Sequence, residues 1–172
     1  VDWVEKTVPE MGAGWCPPGM LGIGIGGTAE KAMLMSKRSL MGPIDIHELR
    51  MRGPNSRLDE LRLEIMERVN ALGIGAQGLG GLTTVLDVKI LDYPTHAASL
   101  PVAMIPNCAA TRHTHFSLDG NGPAVLTPPS LDEYPEIAWE AGAGARKVNL
   151  DTVTAEDVKA WQPGETLLLS GK

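Results

Sequence analysis

The residues best suited to chemistry are two cysteines set in unusual company. Cys16 stands in Gly14-Trp15-Cys16-Pro17-Pro18-Gly19, and Cys108 in Ile105-Pro106-Asn107-Cys108-Ala109-Ala110-Thr111-Arg112-His113. A free cysteine is often just a small buried apolar residue. Here the neighbouring prolines break regular ladders and fix the loops, which suits the presentation of a thiolate to a metal. The two lie 92 positions apart without a C-x-x-C pair, so zinc-ribbon spacing is absent. A structural disulfide between them would be unusual in a reducing compartment. His113 and His115 form an H-x-H pair on one face of a predicted strand, but no third ligand stands at short range. Hydrogen bonding around the Cys108 loop is therefore the stronger expectation for them than metal ligation.

Two glycine-rich runs also invite a chemical reading. Gly22-Ile23-Gly24-Ile25-Gly26-Gly27 fits G-x-G-x-x-G, with Asp45 following at a distance that a dinucleotide site would tolerate. That fingerprint needs a full strand in front of it, whereas Pro17-Pro18 leave only Gly19, Met20 and Leu21. Gly73 to Gly78 matches the same pattern but follows a predicted helix. Both runs are expected to be tight turns, or loops whose backbone amides can approach an anion because no Cβ blocks them.

The elements that position these residues can be read in outline. Val1 to Gly27 looks loop-rich, with Pro9, Pro17 and Pro18 keeping regular structure short. Thr28 caps a predicted helix over 29–41, closed by Gly42-Pro43, whose Met33, Leu34, Met35, Leu40 and Met41 read as core. Ser56 caps a second, in which Leu58, Leu61, Ile65, Val69 and Leu72 recur at helical spacing until Gly73. Thr83 to Leu91, Val102 to Ile105 and Arg112 to Leu118 read as strands. Asn121 to Gly144, rich in Pro, Gly and acids, reads as a linker or surface crossing. Beyond it Thr154 caps a short helix to Trp161, Pro163-Gly164 turns, and Thr166 to Leu169 is apolar.

The 172 residues are 43% hydrophobic and 21% charged, the profile of a soluble protein with a core to bury. The net charge of -6, with scattered basic residues, argues against nucleic acid and anionic membrane partners. No apolar run reaches the roughly 18 residues of a membrane span, and no basic-then-apolar leader opens the chain, so a cytoplasmic location is expected. Both ends read as cuts within a longer chain.

Five phrases in order give the sequence a resemblance. They are Gly14 to Gly19, Gly24-Ile25-Gly26-Gly27-Thr28-Ala29-Glu30-Lys31-Ala32, Gly73-Ile74-Gly75-Ala76-Gln77-Gly78-Leu79-Gly80-Gly81, Pro94-Thr95-His96-Ala97-Ala98-Ser99, and Pro106 to His113. Together they resemble the class I, iron-sulfur-dependent, single-chain fumarate hydratase family. The resemblance implies a mixed α/β fold. Residues 1–145 would form the later part of a cluster-binding domain of helices and a small sheet, and 146–172 the first strand of a swivelling β domain.

The same resemblance implies reversible hydration of fumarate to L-malate, with a relative acting on tartrate or another hydroxydiacid as the close alternative. A [4Fe-4S] cluster would be held by three cysteines, its open iron acting as a Lewis acid. Cys16 and Cys108 match two of those ligands; the third, upstream in the family, has no counterpart among these residues, so the chain alone is expected to be an inactive piece of its enzyme. His96 matches a family histidine near the dicarboxylate substrate, although a lone histidine is otherwise more often structural. Arg112 is expected either to grip a substrate carboxylate or to neutralise the field around the cluster. The full-length enzyme is expected to be a homodimer, with its base and most carboxylate-gripping cations in the second domain.

Overall fold

The computed structural model describes residues 1–111, 113–126, 130, 132, 142, 144–162 and 164–172. It is mixed α/β and divides into two units, Val1–His115 and Phe116–Lys172. Among the described residues no helix is long and apolar enough to cross a membrane.

The first unit is organised by strand β1, Gly19–Gly26. It pairs in parallel with β2, Val85–Tyr93, and antiparallel with β3, Val102–Cys108, giving the order β2-β1-β3. The glycine run expected to be a turn is thus the central strand. The reason lies in what covers it. Helix α2, Ala29–Ser39, crosses so closely that a Cβ on Gly24 would stand 1.9 Å from the Ala32 carbonyl oxygen, and one on Gly22 2.3 Å from that of Ser36. Glycine is poor in strands for want of a side chain, and here that lack lets a helix backbone reach the sheet. Leu21 and Ile23, which alternate with these glycines, are buried in the main core on the other side.

The same close approach explains which face of α2 is inside. Ala32, Met35, Ser36 and Ser39 are buried, and Ser39 bonds back to the Ser36 carbonyl. Met33 and Leu34, expected in the core, are 53% and 70% exposed, because the seam holds small residues and the larger ones fall on the outer face. The Thr28 cap is as expected, its hydroxyl accepting from the Lys31 N–H at 3.3 Å.

The opposite face is covered by α4, Arg57–Ala71, capped as expected by Ser56 accepting from the Asp59 N–H. Two helices were not expected. Helix α1, Asp2–Glu10, includes Pro9 in its last turn, where few hydrogen bonds remain to be lost. Its Val4 and Val8, one turn apart, are buried, and Arg68 of α4 ties it down through Asp2 and Glu5. Helix α3, Ile46–Arg52, is short and buries Ile46 and Leu49. The strand expected over Arg112 to Leu118 is absent among the described residues of that stretch, and Arg112 lies outside them.

In the second unit β4, Arg146–Asn149, and β5, Leu167–Ser170, pair in parallel with α5, Ala155–Lys159, between them in sequence. The tail therefore holds two strands instead of the single one expected, β4 being too short for its alternation to show. Thr154 and Asp157 form a reciprocal capping box. Of the expected Asn121–Gly144 crossing, residues 127–129, 131, 133–141 and 143 lie outside the described set, as does Pro163 of the expected turn.

Two measurements check this account. Gly24→Ala should cost about 3 kcal/mol or more in urea unfolding, since neither backbone can yield cheaply, whereas Gly14→Ala, with nothing within 4 Å of the added methyl, should be near neutral.

Candidate active site

The pairing register builds one corner from distant sequence. Gly19 at the start of β1 lies opposite Cys108 at the end of β3. Cys16 precedes Gly19 by three residues, so its Cα is within about 10 Å of the Gly19 Cα, on the same end of the sheet as Cys108. Its backbone is left-handed, with φ 58, and its N–H donates to the Ala13 carbonyl at 2.9 Å. Cys16 is exposed and Cys108 half-buried, and both are free thiols. The Ala110 N–H points at the Cys108 sulfur at 3.3 Å, and the Thr111 N–H closes the turn onto the Cys108 carbonyl at 3.0 Å.

A third segment joins them. The Gln77 N–H donates to the carbonyl of buried Pro17 at 2.6 Å, which fastens the second glycine loop to the Cys16 loop. That loop folds on itself so tightly that a Cβ on Gly75 would stand 2.3 Å from the Gly80 carbonyl. Buried Thr84 holds both loops, its hydroxyl accepting from the Gly75 N–H and its carbonyl from the Gly19 N–H. Asn70 of α4 in turn accepts from the Thr84 and Val85 N–H groups. Trp15, next to Cys16 in sequence, packs in the core, and its indole Nε1 is buried without a hydrogen-bond partner among the described residues.

His96 sits elsewhere. It lines a cleft of about 760 Å³ at the other end of the sheet, where Gly26 pairs with Tyr93, together with Thr28, Lys31 and Thr95. Eight residues of β1 separate that end from the cysteine corner, about 23 Å of strand. The Nδ1 atom of His96 accepts the Ala98 N–H at 3.1 Å, which places the ring proton on Nε2 and leaves that atom to donate. The Lys31 ammonium stands 4.0 Å from the centre of the Tyr93 ring. A single copy thus brings Cys16 and Cys108 to one corner and leaves His96 at the other, while Arg112 lies outside the described residues.

His115 Nε2 is 2.7 Å from the Met41 carbonyl, just past the end of α2, and the His113 and His115 rings meet edge to face at 5.4 Å. His115 therefore bonds to the chain just past α2, whereas the expectation was hydrogen bonding around the Cys108 loop. Among the described residues no three of His, Cys, Asp and Glu come together as a metal site.

One constellation escaped the sequence reading. Arg62 of α4 bonds both Asp45 and fully buried Asp87, while Lys89 reaches Asp45, Asp87 and the Pro43 carbonyl. Burial alone would raise the Asp45 pKa, but the hydrogen bonds and charges of Arg62 and Lys89 outweigh it and hold the carboxyl at about 2. The signal was available: Asp87 and Lys89 are charged residues two apart inside the otherwise apolar run from Val85 to Leu91.

Residues 1–117 match the family model for fumarate hydratase (fumerase), and the chain belongs to that family. It is 41% identical over 111 residues to the putative L(+)-tartrate dehydratase subunit alpha of Methanocaldococcus jannaschii, covering 64% of this chain and 37% of that protein. The L(+)-tartrate dehydratase subunit alpha of Escherichia coli K12 is 34% identical over 112 residues, covering 65% of this chain and 35% of its own. The chain thus spans little more than a third of the curated relatives it matches.

The corner has the chemistry a thiolate-bound cluster asks for. It offers two free thiols, a backbone N–H on one sulfur, and a glycine loop without Cβ atoms. It supplies two ligands only.

Two expectations follow. Iodoacetamide should label exposed Cys16 several-fold faster than Cys108, as read by peptide mass spectrometry. As the Asp45 carboxyl is depressed when folded, its stabilisation is complete above its ordinary pKa of 3.8 and fades as pH falls towards 2; Asp45→Asn should flatten that part of the stability-against-pH curve.

Proposed function

We propose that this chain is the cysteine-bearing part of a cytoplasmic hydro-lyase that adds water reversibly to fumarate, giving L-malate. The observation that carries this reading is the Gly19–Cys108 register, which delivers Cys16 and Cys108 to one corner of a chain belonging to the fumarate hydratase family. Cys16 and Cys108 are two ligands of a [4Fe-4S] cluster, and a third thiolate comes from outside these residues. When bound, the cluster supplies a Lewis acid for the hydroxyl oxygen that leaves or enters.

The chain's own groups have narrower tasks. The Ala110 N–H moderates negative charge on the Cys108 thiolate, and Pro17, fixed by Gln77, keeps the Cys16 loop in place. Arg112, four residues after Cys108, is assigned to the dicarboxylate. His96 is assigned to the substrate as a proton-handling group through Nε2. Since it stands at the far end of the sheet, a further element must bring the two ends to one substrate, and the homodimer proposed for the full-length enzyme can do this. Residues 1–145 then belong to the cluster-binding domain, and the strands beyond begin the swivelling domain.

The names of the tartrate dehydratase relatives favour a second reading, in which the substrate is L(+)-tartrate. Water loss from that hydroxydiacid uses the same corner, so the two differ in how carboxylates and the extra hydroxyl are gripped.

Anaerobic iron-sulfur reconstitution of this chain and of a version extended at both ends, followed by fumarate and tartrate assays, decides between them. Turnover is expected only in the extended protein, fumarate being preferred. Cys16→Ser and Cys108→Ser should each reduce it by more than the roughly 10–100-fold typical of residues outside a metal's ligand set. Visible cluster absorbance in neither protein would overturn the reading.

A further inference from the structure

A cleft of about 700 Å³ opens between α3, α4 and the start of β2, apart from the His96 cleft and made of different residues. One wall is α3, which places His47 and Arg50 one turn apart on the same side. The facing wall is α4, whose Leu63, Met66, Glu67 and Asn70 follow the i, i+3, i+4, i+7 spacing of a single face. The floor is apolar: Met66 is 5% exposed and Val85 fully buried. Leu82 closes the side while itself 93% exposed, a large apolar side chain with little of this unit against it.

The charges are the distinctive part. The other arginines of α3 and α4, Arg52, Arg57, Arg62 and Arg68, are all ion-paired. Arg50 is not, and neither it, His47 nor Glu67 has a hydrogen-bond or ion-pair partner among the described residues. An arginine and a carboxylate that line one cleft without meeting leave a gap bounded by a cation and an anion. A ligand that fills it needs a carboxylate for the Arg50 fork, an ammonium for Glu67, and an apolar body for Leu63, Met66 and Leu82.

We propose that this cleft binds a small apolar α-amino acid, its carboxylate on Arg50 and His47 and its ammonium on Glu67. The site does not depend on the hydro-lyase reading.

The test titrates L-leucine into the isotope-labelled 172-residue chain and follows amide NMR signals, with 4-methylpentanoate and 3-methylbutylamine as probes lacking one charge each. Saturable shifts at α3, at α4 and at Leu82–Thr83 are expected with leucine, and at least about tenfold weaker binding for each truncated probe and for Arg50→Met and Glu67→Gln. Both side chains are exposed, and an unchanged circular dichroism spectrum separates lost binding from lost fold. Arg50→Lys should retain part of the affinity. Absence of saturable shifts with leucine would overturn the proposal, as would shifts undiminished in both variants or equal affinity for 4-methylpentanoate.

Discussion

The first unit depends on one steric constraint, the contact between the glycine face of β1 and the backbone of α2. With Cβ atoms at Gly22 and Gly24 the helix would be pushed away by more than an ångström, since the nearest atoms are its own carbonyl oxygens. Because β1 is central, displacing α2 would disturb both of its ladders. The parallel ladder carries β2 and the buried ion network, and the antiparallel ladder carries Cys108 to Gly19. A strand with so little intrinsic preference for its conformation is held by what packs on it.

That arrangement separates two kinds of loop. At the end where β1 begins, the Cys16, Gly75 and Cys108 loops are tied to one another through Pro17, Thr84 and Gly19 by backbone hydrogen bonds and one to the short Thr84 hydroxyl. Such bonds do not depend on long side chains, so the thiols are presented on a frame that costs little entropy to hold. At the other end the His96 loop, Pro94 to Leu100, is exposed throughout and anchored mainly by Thr95, whose hydroxyl is 3.0 Å from the Gly27 carbonyl. The rigid end suits ligands that must keep their spacing, and the exposed end suits a group that meets something arriving from outside the unit.

How much of this could be read from sequence depended on range. Helix α4 was legible because cap, periodic apolar residues and the closing glycine are local and agree, and α2 was legible for similar reasons. Strand β1 was misread because glycine and proline signal turns locally, while its reason for being a strand is the packing of Ala32 and Ser36 of the following helix on Gly24 and Gly22. Helix α1 was hidden by Pro9 and depends on Arg68, more than sixty positions on. The cysteines stood out through their neighbours, but their sharing of a corner follows from a pairing across 89 positions that no local pattern encodes. The separation of His96 from that corner was equally invisible, for the same reason.

The ion network shows why buried charge belongs with the corner. Asp45 and Lys89 fix the stretch from Pro43 to Asp45, and Met41, two residues before Pro43, accepts the hydrogen bond of His115. His115 is therefore held by a helix terminus that the network steadies from the other side. A buried pair adds little net stability compared with apolar packing, but leaving one member unpaired is costly, so the geometry it enforces is all or none. Four charges that must be satisfied together give the loop between α2 and α3 one position, and it is this loop that His115 meets at the Met41 carbonyl.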